Sequence, residues 1–209
     1  MNNTNVWKTI PLEDYEKHMQ HPDVWQAQLL NELVKKYIQQ HEPEYLLFLG
    51  ISGGNGLEHI NTAKIKEVCG VDINSSFLEI TRKRFSGTIP QLHLVNADIG
   101  TSDESFIKAD FVWAALVLEY VPLANAFHFI KNNTAHSAKV IITIQSDNGK
   151  TTISPTGVKS IHAVKDAFNT VEKEVLITNA QDFGFELIGM DENILPNGKS
   201  FITCAFVRT

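Results

Sequence analysis

The sequence predicts an α/β protein: a doubly wound, mostly parallel, seven-stranded sheet with an antiparallel last strand and N-terminal helices lying over the site. Three observations carry that expectation. Short apolar runs alternate with amphipathic segments from Tyr45 onward, the mark of βαβ units whose strands are covered on both faces. A glycine-rich stretch, Gly50-Ile51-Ser52-Gly53-Gly54-Asn55-Gly56, follows the first run. The chain closes with two strand-like runs too near one another for a crossover, so they must pair antiparallel.

In order, Pro11 to Met19 and Pro22 to Gln40 read as helices. In the second, Val24, Trp25, Ala27, Leu30, Leu33, Val34, Tyr37 and Ile38 recur at three- and four-residue spacing, and Pro22 stands where a first-turn proline is tolerated. Then come YLLFLG, GLEHINTAKI, KEVCGVD, SSFLEITRKRF, QLHLVNAD, ADFVWAALVL, LANAFHFIKNN and AKVIITIQS, strand and helix by turns. SDNGKTTISPTG, Ser146 to Gly157, reads as irregular and follows the fifth strand, where an α/β sheet places binding loops. The Asn197-Gly198 turn joins the last two strands. One domain is expected over 1–209: a helical cap over 1–44, a core over 45–145, and a lid segment with the antiparallel strands over 146–209.

Composition narrows the function. Twenty-four acidic against eighteen basic residues give a net charge of −6, without the basic footprint of a protein that grips nucleic acid or anionic lipid. The N-terminus has neither a basic nor an apolar signal segment, and no apolar run approaches the roughly 18 residues of a membrane span. A cytoplasmic protein is expected. Cys69 and Cys204 lack CxxC spacing and lie in apolar runs, as buried reduced thiols do.

The glycine stretch admits two readings from its residues. A dinucleotide fingerprint fails, because counting from Gly54 puts His59 at the third glycine and counting from Gly50 puts Ser52 at the second. The lysine of a P-loop is also missing. The stretch Phe48-Leu49-Gly50-Ile51-Ser52-Gly53-Gly54 resembles instead the E/D-x-G-x-G-x-G turn of class I S-adenosylmethionine-dependent methyltransferases, with Phe48 in place of the acidic residue and Ser52 in place of the middle glycine.

Spacing extends the resemblance over Tyr45 to Gln145. Asp72 ends the second strand in GVDINSSF; a carboxylate there can accept hydrogen bonds from two ribose hydroxyls, or it can cap the next helix, a duty Asn74 and Ser75 also offer. Asp98 ends the third in LVNADIG, where ahead of Gly100 it can serve as a turn residue, and it matches the family's acidic residue near the adenine amino group; Ala114 and Ala115 fall in the segment under the methionine. The resemblance implies a Rossmann-like methyltransferase fold and S-adenosyl-L-methionine as cofactor, contacted by Gly50, Ile51, Ser52, Gly54, Asp72, Ile73, Asp98, Ile99, Ala114 and Ala115.

Methyl transfer from a sulfonium is an in-line displacement that alignment alone accelerates, and a base is needed only where the acceptor must lose a proton. No catalytic residue is assigned. Segments that close over the pocket in this family offer Trp7, Tyr15, His18, His21 and Trp25, then Glu119 and Tyr120, then His162, with Tyr15, His18, Glu119, Tyr120 and His162 taken as candidate acceptor contacts. Asp14, His18 and His21 would share a helix face only if Pro22 does not end that helix; a solvated histidine is the commoner outcome, and no metal is expected. Arg82, Lys83 and Arg84 read as a solvated face, as do Lys64, Lys66 and Glu67. The expected function is methyl transfer to a small molecule. Against it stand a binding protein that holds the cofactor with little turnover, a methyltransferase acting on a protein, and a nicotinamide- or nucleotide-dependent enzyme on a related sheet.

Overall fold

The computed structural model describes residues 5–209. Seven strands form one sheet in the order β3-β2-β1-β4-β5-β7-β6, with β1 Tyr45–Leu49, β2 Glu67–Asp72, β3 Leu92–Asn96, β4 Ala109–Ala115, β5 Thr134–Ser146, β6 Phe185–Ile194 and β7 Ser200–Arg208. Strands β1 to β5 pair in parallel, while β7 inserts antiparallel between β5 and β6. The expected antiparallel ending is present. Strand order reverses between β1 and β4, which opens a crevice at their carboxyl ends.

The two-residue period of a strand writes both faces into one run. Leu47 and Leu49 of β1 join Val71, Val112, Ala114 and Ile142 in a core beneath α4 (Leu123–Asn133) and α5 (Lys173–Asp182). Leu46 and Phe48 face the other way, with Phe111, Trp113 and Ile141, beneath α2 (Gln26–His41). Cys69 and Cys204 are buried free thiols. Among the described residues, no helix is long and apolar enough to cross a membrane.

Two expected helices differ. The second does not begin at Pro22: α1 (Leu12–Met19) stops, residues 22–24 form a turn, and α2 starts at Gln26. Val24 and Trp25 both donate to the His21 carbonyl at 2.8 Å, and Trp25 takes a left-handed backbone with φ 49°, which breaks any helical run at that residue. Trp25 is therefore largely exposed while Val24 is buried in the turn.

The larger difference lies behind the glycine turn, where GLEHINTAKI forms only a 3₁₀ turn over Leu57–His59. Gly54 and Gly56 are left-handed. Leu57, His59 and Ile60 each donate three residues back, to Gly54, Gly56 and Leu57, so the segment winds as tight turns that do not propagate. α2 covers the place this crossover leaves: Asn55 Nδ2 donates to the Ala27 carbonyl at 2.9 Å, Asn31 Nδ2 to Asn55 Oδ1 at 2.9 Å, and Val34 lies against Gly56.

That packing makes Gly56 demanding. At φ 95°, an added Cβ would sit 2.3 Å from Val34 Cγ1. Gly149, left-handed at φ 77°, has nothing within 4 Å. Gly56→Ala should cost about 2–4 kcal/mol, combining left-handed strain with overpacking, and so lower the melting point by roughly 4–16 °C for a chain of this size. Gly149→Ala should cost only the strain, about 1–2 kcal/mol. Thermal melts of the pair check this; equal losses would remove the Val34 contact from the account.

Candidate functional site

The site begins where β1 and β2 run out. Gly50 and Ile51 both donate to the Val71 carbonyl, at 2.9 and 3.1 Å. Ser52 then takes a left-handed backbone, φ 52°, and its N–H reaches Asp72 Oδ2 at 2.8 Å. The other oxygen of Asp72 accepts the Asn74 N–H at 2.8 Å. Thr81 Oγ1 donates to the Ser52 carbonyl at 2.6 Å, and Arg84 reaches the Gly53 carbonyl at 3.0 Å while gripping both carboxylate oxygens of Glu16. Arg84 is exposed, as expected of this face, and from there it also bolts α1 to α3 (Ser75–Phe85) across the glycine turn.

The capping question resolves in favour of Asn74. Its Oδ1 accepts from Ser76 and Phe77 at the start of α3, at 3.0 and 3.3 Å. Its amide donates to the carbonyls of Trp7 and Ile10, at 2.8 and 3.1 Å, pinning the N-terminal strap over the crevice. Asp72 is therefore not the cap. It is 8% exposed and faces a cavity; burial raises its proton affinity, opposed by the N–H groups of Asn74, Ser52 and Ile73.

Three cavities meet here. The innermost, about 80 Å³, is bounded by Asp72, Ile73, Asp98 and Ile99 on one side and by Trp7, Tyr15, Ala115 and Tyr120 on the other. A second, about 390 Å³, lies across the glycine turn against Phe48, Ile51, Gly54, Glu16 and Arg84, and shares Tyr15, Gly50, Ser52 and Ala115 with the first. A third, about 50 Å³, shares Trp7, Tyr15, Leu116 and Tyr120 with the first and runs towards His18, Gln145 and Lys199. Trp7 packs edge-on to Tyr15 and to Tyr120, with ring centroids 5.7 and 4.9 Å away. Ser52 Oγ and Trp7 Nε1 are buried without a hydrogen-bond partner.

Residues 47–141 match the model of a family described as Methyltransferase domain, and they contain the glycine turn, Asp72, Asp98 and Ala115. Over that segment the chain is similar to the methyltransferase domain family. Solved structures extend the likeness of fold beyond the matched segment. Magnesium protoporphyrin IX methyltransferase from Synechocystis PCC 6803, with bound SAM, is 13% identical at a TM-score of 0.70, over 97% of this chain and 93% of that one. N-methyltransferase NodS from Bradyrhizobium japonicum WM9, in complex with S-adenosyl-L-homocysteine, is 12% identical at 0.68, over 98% of each chain. A (4+2)-cyclase, SpnF, is 11% identical at 0.67, over 88% of this chain and 81% of that one. Comparison with curated protein sequences gives no match.

Of the residues singled out for this family's cofactor, Gly50, Ser52, Asp72, Ile73, Asp98, Ile99 and Ala115 line the innermost cavity, and Ile51 and Gly54 the second. Ala114 does not face either: the strand period turns it into the opposite core. Of the acceptor candidates, Tyr15, His18 and Tyr120 line the third cavity. His162 is exposed, on the outer side of the 3₁₀ helix Ser160–Ala167 whose Ile161 and Val164 point inward. Asp14 and His18 leave α1 for different partners, Ser160 and Thr156, while His21 lies beyond the helix against Asp23. Lys199, Gln145 and Gln26 also line the third cavity, and nothing local in the sequence marks them. Lys199 follows an Asn-Gly turn and reads as a solvated turn lysine.

Glu119 lines none of these three cavities. It is fully buried, accepts the Gln145 N–H at 2.9 Å through Oε1, and leaves Oε2 without a partner; its carbonyl accepts both N–H groups of Asn169 that point at it. Burial pushes its carboxyl up to about 7. The unfolded chain gives up this proton near pH 4.5, the ordinary value, and the folded chain keeps it until about 7. The stabilising contribution is thus complete below 4.5 and falls away as pH rises through 7. Glu119→Gln should remove that loss, gaining on the order of 3 kcal/mol relative to the parent between pH 4.5 and pH 8. Urea unfolding of both proteins across that range tests it; a difference independent of pH would show that Glu119 does not titrate there.

Proposed function

We propose that the chain transfers a methyl group from S-adenosyl-L-methionine to a small-molecule acceptor by in-line displacement. The observation that carries this reading is Asp72. A buried carboxylate at the end of β2, relieved of capping by Asn74, shares one cavity with the glycine turn and Asp98. Its two backbone bonds leave lone pairs on both oxygens, suited to the paired hydroxyls of a ribose. Asp98 and the Ile99 backbone border the adenine side, and Gly50 lets the backbone approach closely, since a Cβ there would meet Val117 Cγ2 at 3.1 Å. The orphaned Ser52 Oγ and Trp7 Nε1 are polar atoms in a site that a nucleoside with a polar tail would satisfy.

The bound cofactor supplies an activated methyl group. The chain supplies orientation and exclusion of water: Ala115 keeps the floor low beside Gly50, and the Trp7, Tyr15 and Tyr120 rings close the wall shared with the third cavity. In the second cavity, Glu16 offers the carboxylate that Phe48 does not, and Arg84 beside it offers a cation to the amino-acid end of the cofactor. Residues 1–209 act as one domain in this reading, with 1–44 as cap, 45–145 as core and 146–209 as lid and antiparallel ending. Solved structures on the same fold, such as the magnesium protoporphyrin IX methyltransferase and a geranyl diphosphate methyltransferase, support a small acceptor. Phe48 and Ser52, together with a cyclase on the same fold, favour the second reading: a binding protein with little turnover. Formation of S-adenosylhomocysteine from a metabolite panel separates the two.

S-adenosylhomocysteine at about 100 times its dissociation constant should add roughly 2.7 kcal/mol, a rise in melting point of about 5–11 °C for this length. Asp72→Ala should weaken its binding about 30- to 1000-fold, from loss of charge-assisted bonds of about 1.5–3 kcal/mol each, partly recovered by water. The variant should also melt lower, because the Ser52 and Asn74 N–H groups lose their acceptor. Calorimetric titration beside the melts decides: silent calorimetry with the parent protein ends the methyltransferase reading, and unchanged affinity in the variant removes Asp72 from the site.

A further inference from the structure

Among the described residues that line it, the third cavity carries one cation and no carboxylate, inside a protein of net charge −6. That cation is Lys199, whose side chain is 2% exposed. Its ammonium donates to the Thr152 carbonyl. The nearest carboxylate oxygen, on Asp147, is 4.0 Å away, beyond hydrogen-bonding reach. Asp147 is engaged elsewhere: Oδ1 accepts Gln145 Nε2 and Oδ2 accepts Thr152 Oγ1 at 2.9 Å. An ammonium has three donors, so two remain.

The surroundings select what can answer them. His18 borders the same cavity, its ring held near neutrality because burial, and then Lys199 itself, lower its proton affinity to about 4. Gln26 donates to Gln145 Oε1 at 2.7 Å, which fixes the amide rather than leaving it for an anion. The remaining walls are mostly apolar or aromatic, with Ile161, Val164, Phe168, Trp7 and Tyr120 among them. A buried charge whose donors are unfilled costs free energy until a counter-charge arrives. One point charge in a mostly apolar space suits a single carboxylate on a compact apolar body, not a phosphate dianion that calls for several donors.

We propose that the third cavity is the acceptor site and that it selects small carboxylates, with the acid on Lys199 and the body of the acceptor against the Trp7 and Tyr120 rings towards the innermost cavity. This rests on the methyltransferase reading above. Lys199 acts here by positioning the acceptor. No bond to it forms or breaks.

The test uses the full-length protein saturated with S-adenosylhomocysteine, titrated calorimetrically with matched pairs small enough for this cavity: acetate and acetamide, propionate and propionamide, butyrate and butyramide. At least one carboxylate should bind ten-fold or more tightly than its amide. In Lys199→Met that preference should shrink below about three-fold while S-adenosylhomocysteine affinity stays unchanged, and Lys199→Arg should retain it. If S-adenosylhomocysteine binds but no carboxylate outdoes its amide, or if the preference survives Lys199→Met, the inference is overturned and the cofactor site stands. If S-adenosylhomocysteine itself does not bind, both fall. The comparison of acid with amide on the parent protein needs no variant, so it decides the matter even where Lys199→Met fails to fold.

Discussion

The Asp72 carboxylate, accepting the Ser52 N–H at 2.8 Å, is the contact on which the site's shape depends. Behind most strand-to-helix turns a helix of several turns fixes the backbone, and here only the 3₁₀ turn Leu57–His59 stands there. The glycine turn must be held from outside. Asp72 holds its N–H side, Thr81 the Ser52 carbonyl and Arg84 the Gly53 carbonyl. All three anchors come from the end of β2 or from α3, so the turn is positioned by the second βα unit rather than by its own. A charge-assisted bond contributes about 1.5–3 kcal/mol, comparable to the cost of keeping a non-glycine residue such as Ser52 left-handed.

The second half of the site is assembled between segments far apart in the chain. Asn74 ties the strap at Trp7 and Ile10 to the start of α3. His18 and Asp14 of α1 meet Thr156 and Ser160, and Tyr120 stands edge-on between Trp7 and Phe168. These are the contacts that close the third cavity.

How much of this could be read beforehand follows from where each residue finds its partners. The parallel core was legible because strands buried on both faces write unbroken apolar runs such as Leu46 to Leu49, and the antiparallel ending because Asn197-Gly198 leaves no room for a crossover. Asp72 and Asp98 were legible as strand ends at fixed spacing from the turn, and the sheet brings both to one cavity. The missing helix was not: GLEHINTAKI holds good helix formers, but left-handed Gly56 precedes them and Asn61 folds its carbonyl and side chain onto residues 63–65. Lys199 was hidden because its setting depends on register. Ser146 pairs with Ser200 across β5 and β7, and only that pairing sets a turn lysine beside Asp147 and Thr152.

The turn without a helix also bears on which cofactor it can serve. A pyrophosphate is bound by the unpaired N–H groups and positive end of a helix that opens at the turn. Leu57–His59 is too short to offer either, and the backbone N–H groups of Gly54, Leu57 and His59 are spent on internal turns. A dinucleotide would therefore find its most charged part unsupported here, independently of the failed glycine fingerprint. A nucleoside without phosphate loses nothing. What the turn does provide is a close backbone approach at Gly50, a carboxylate at Asp72 for neutral hydroxyls, and, across the turn, the opposed charges of Glu16 and Arg84 in one cavity. Glu16 and Arg84 already answer one another there, so the charge across the turn is balanced within the protein, and the proposed site asks no phosphate of this turn.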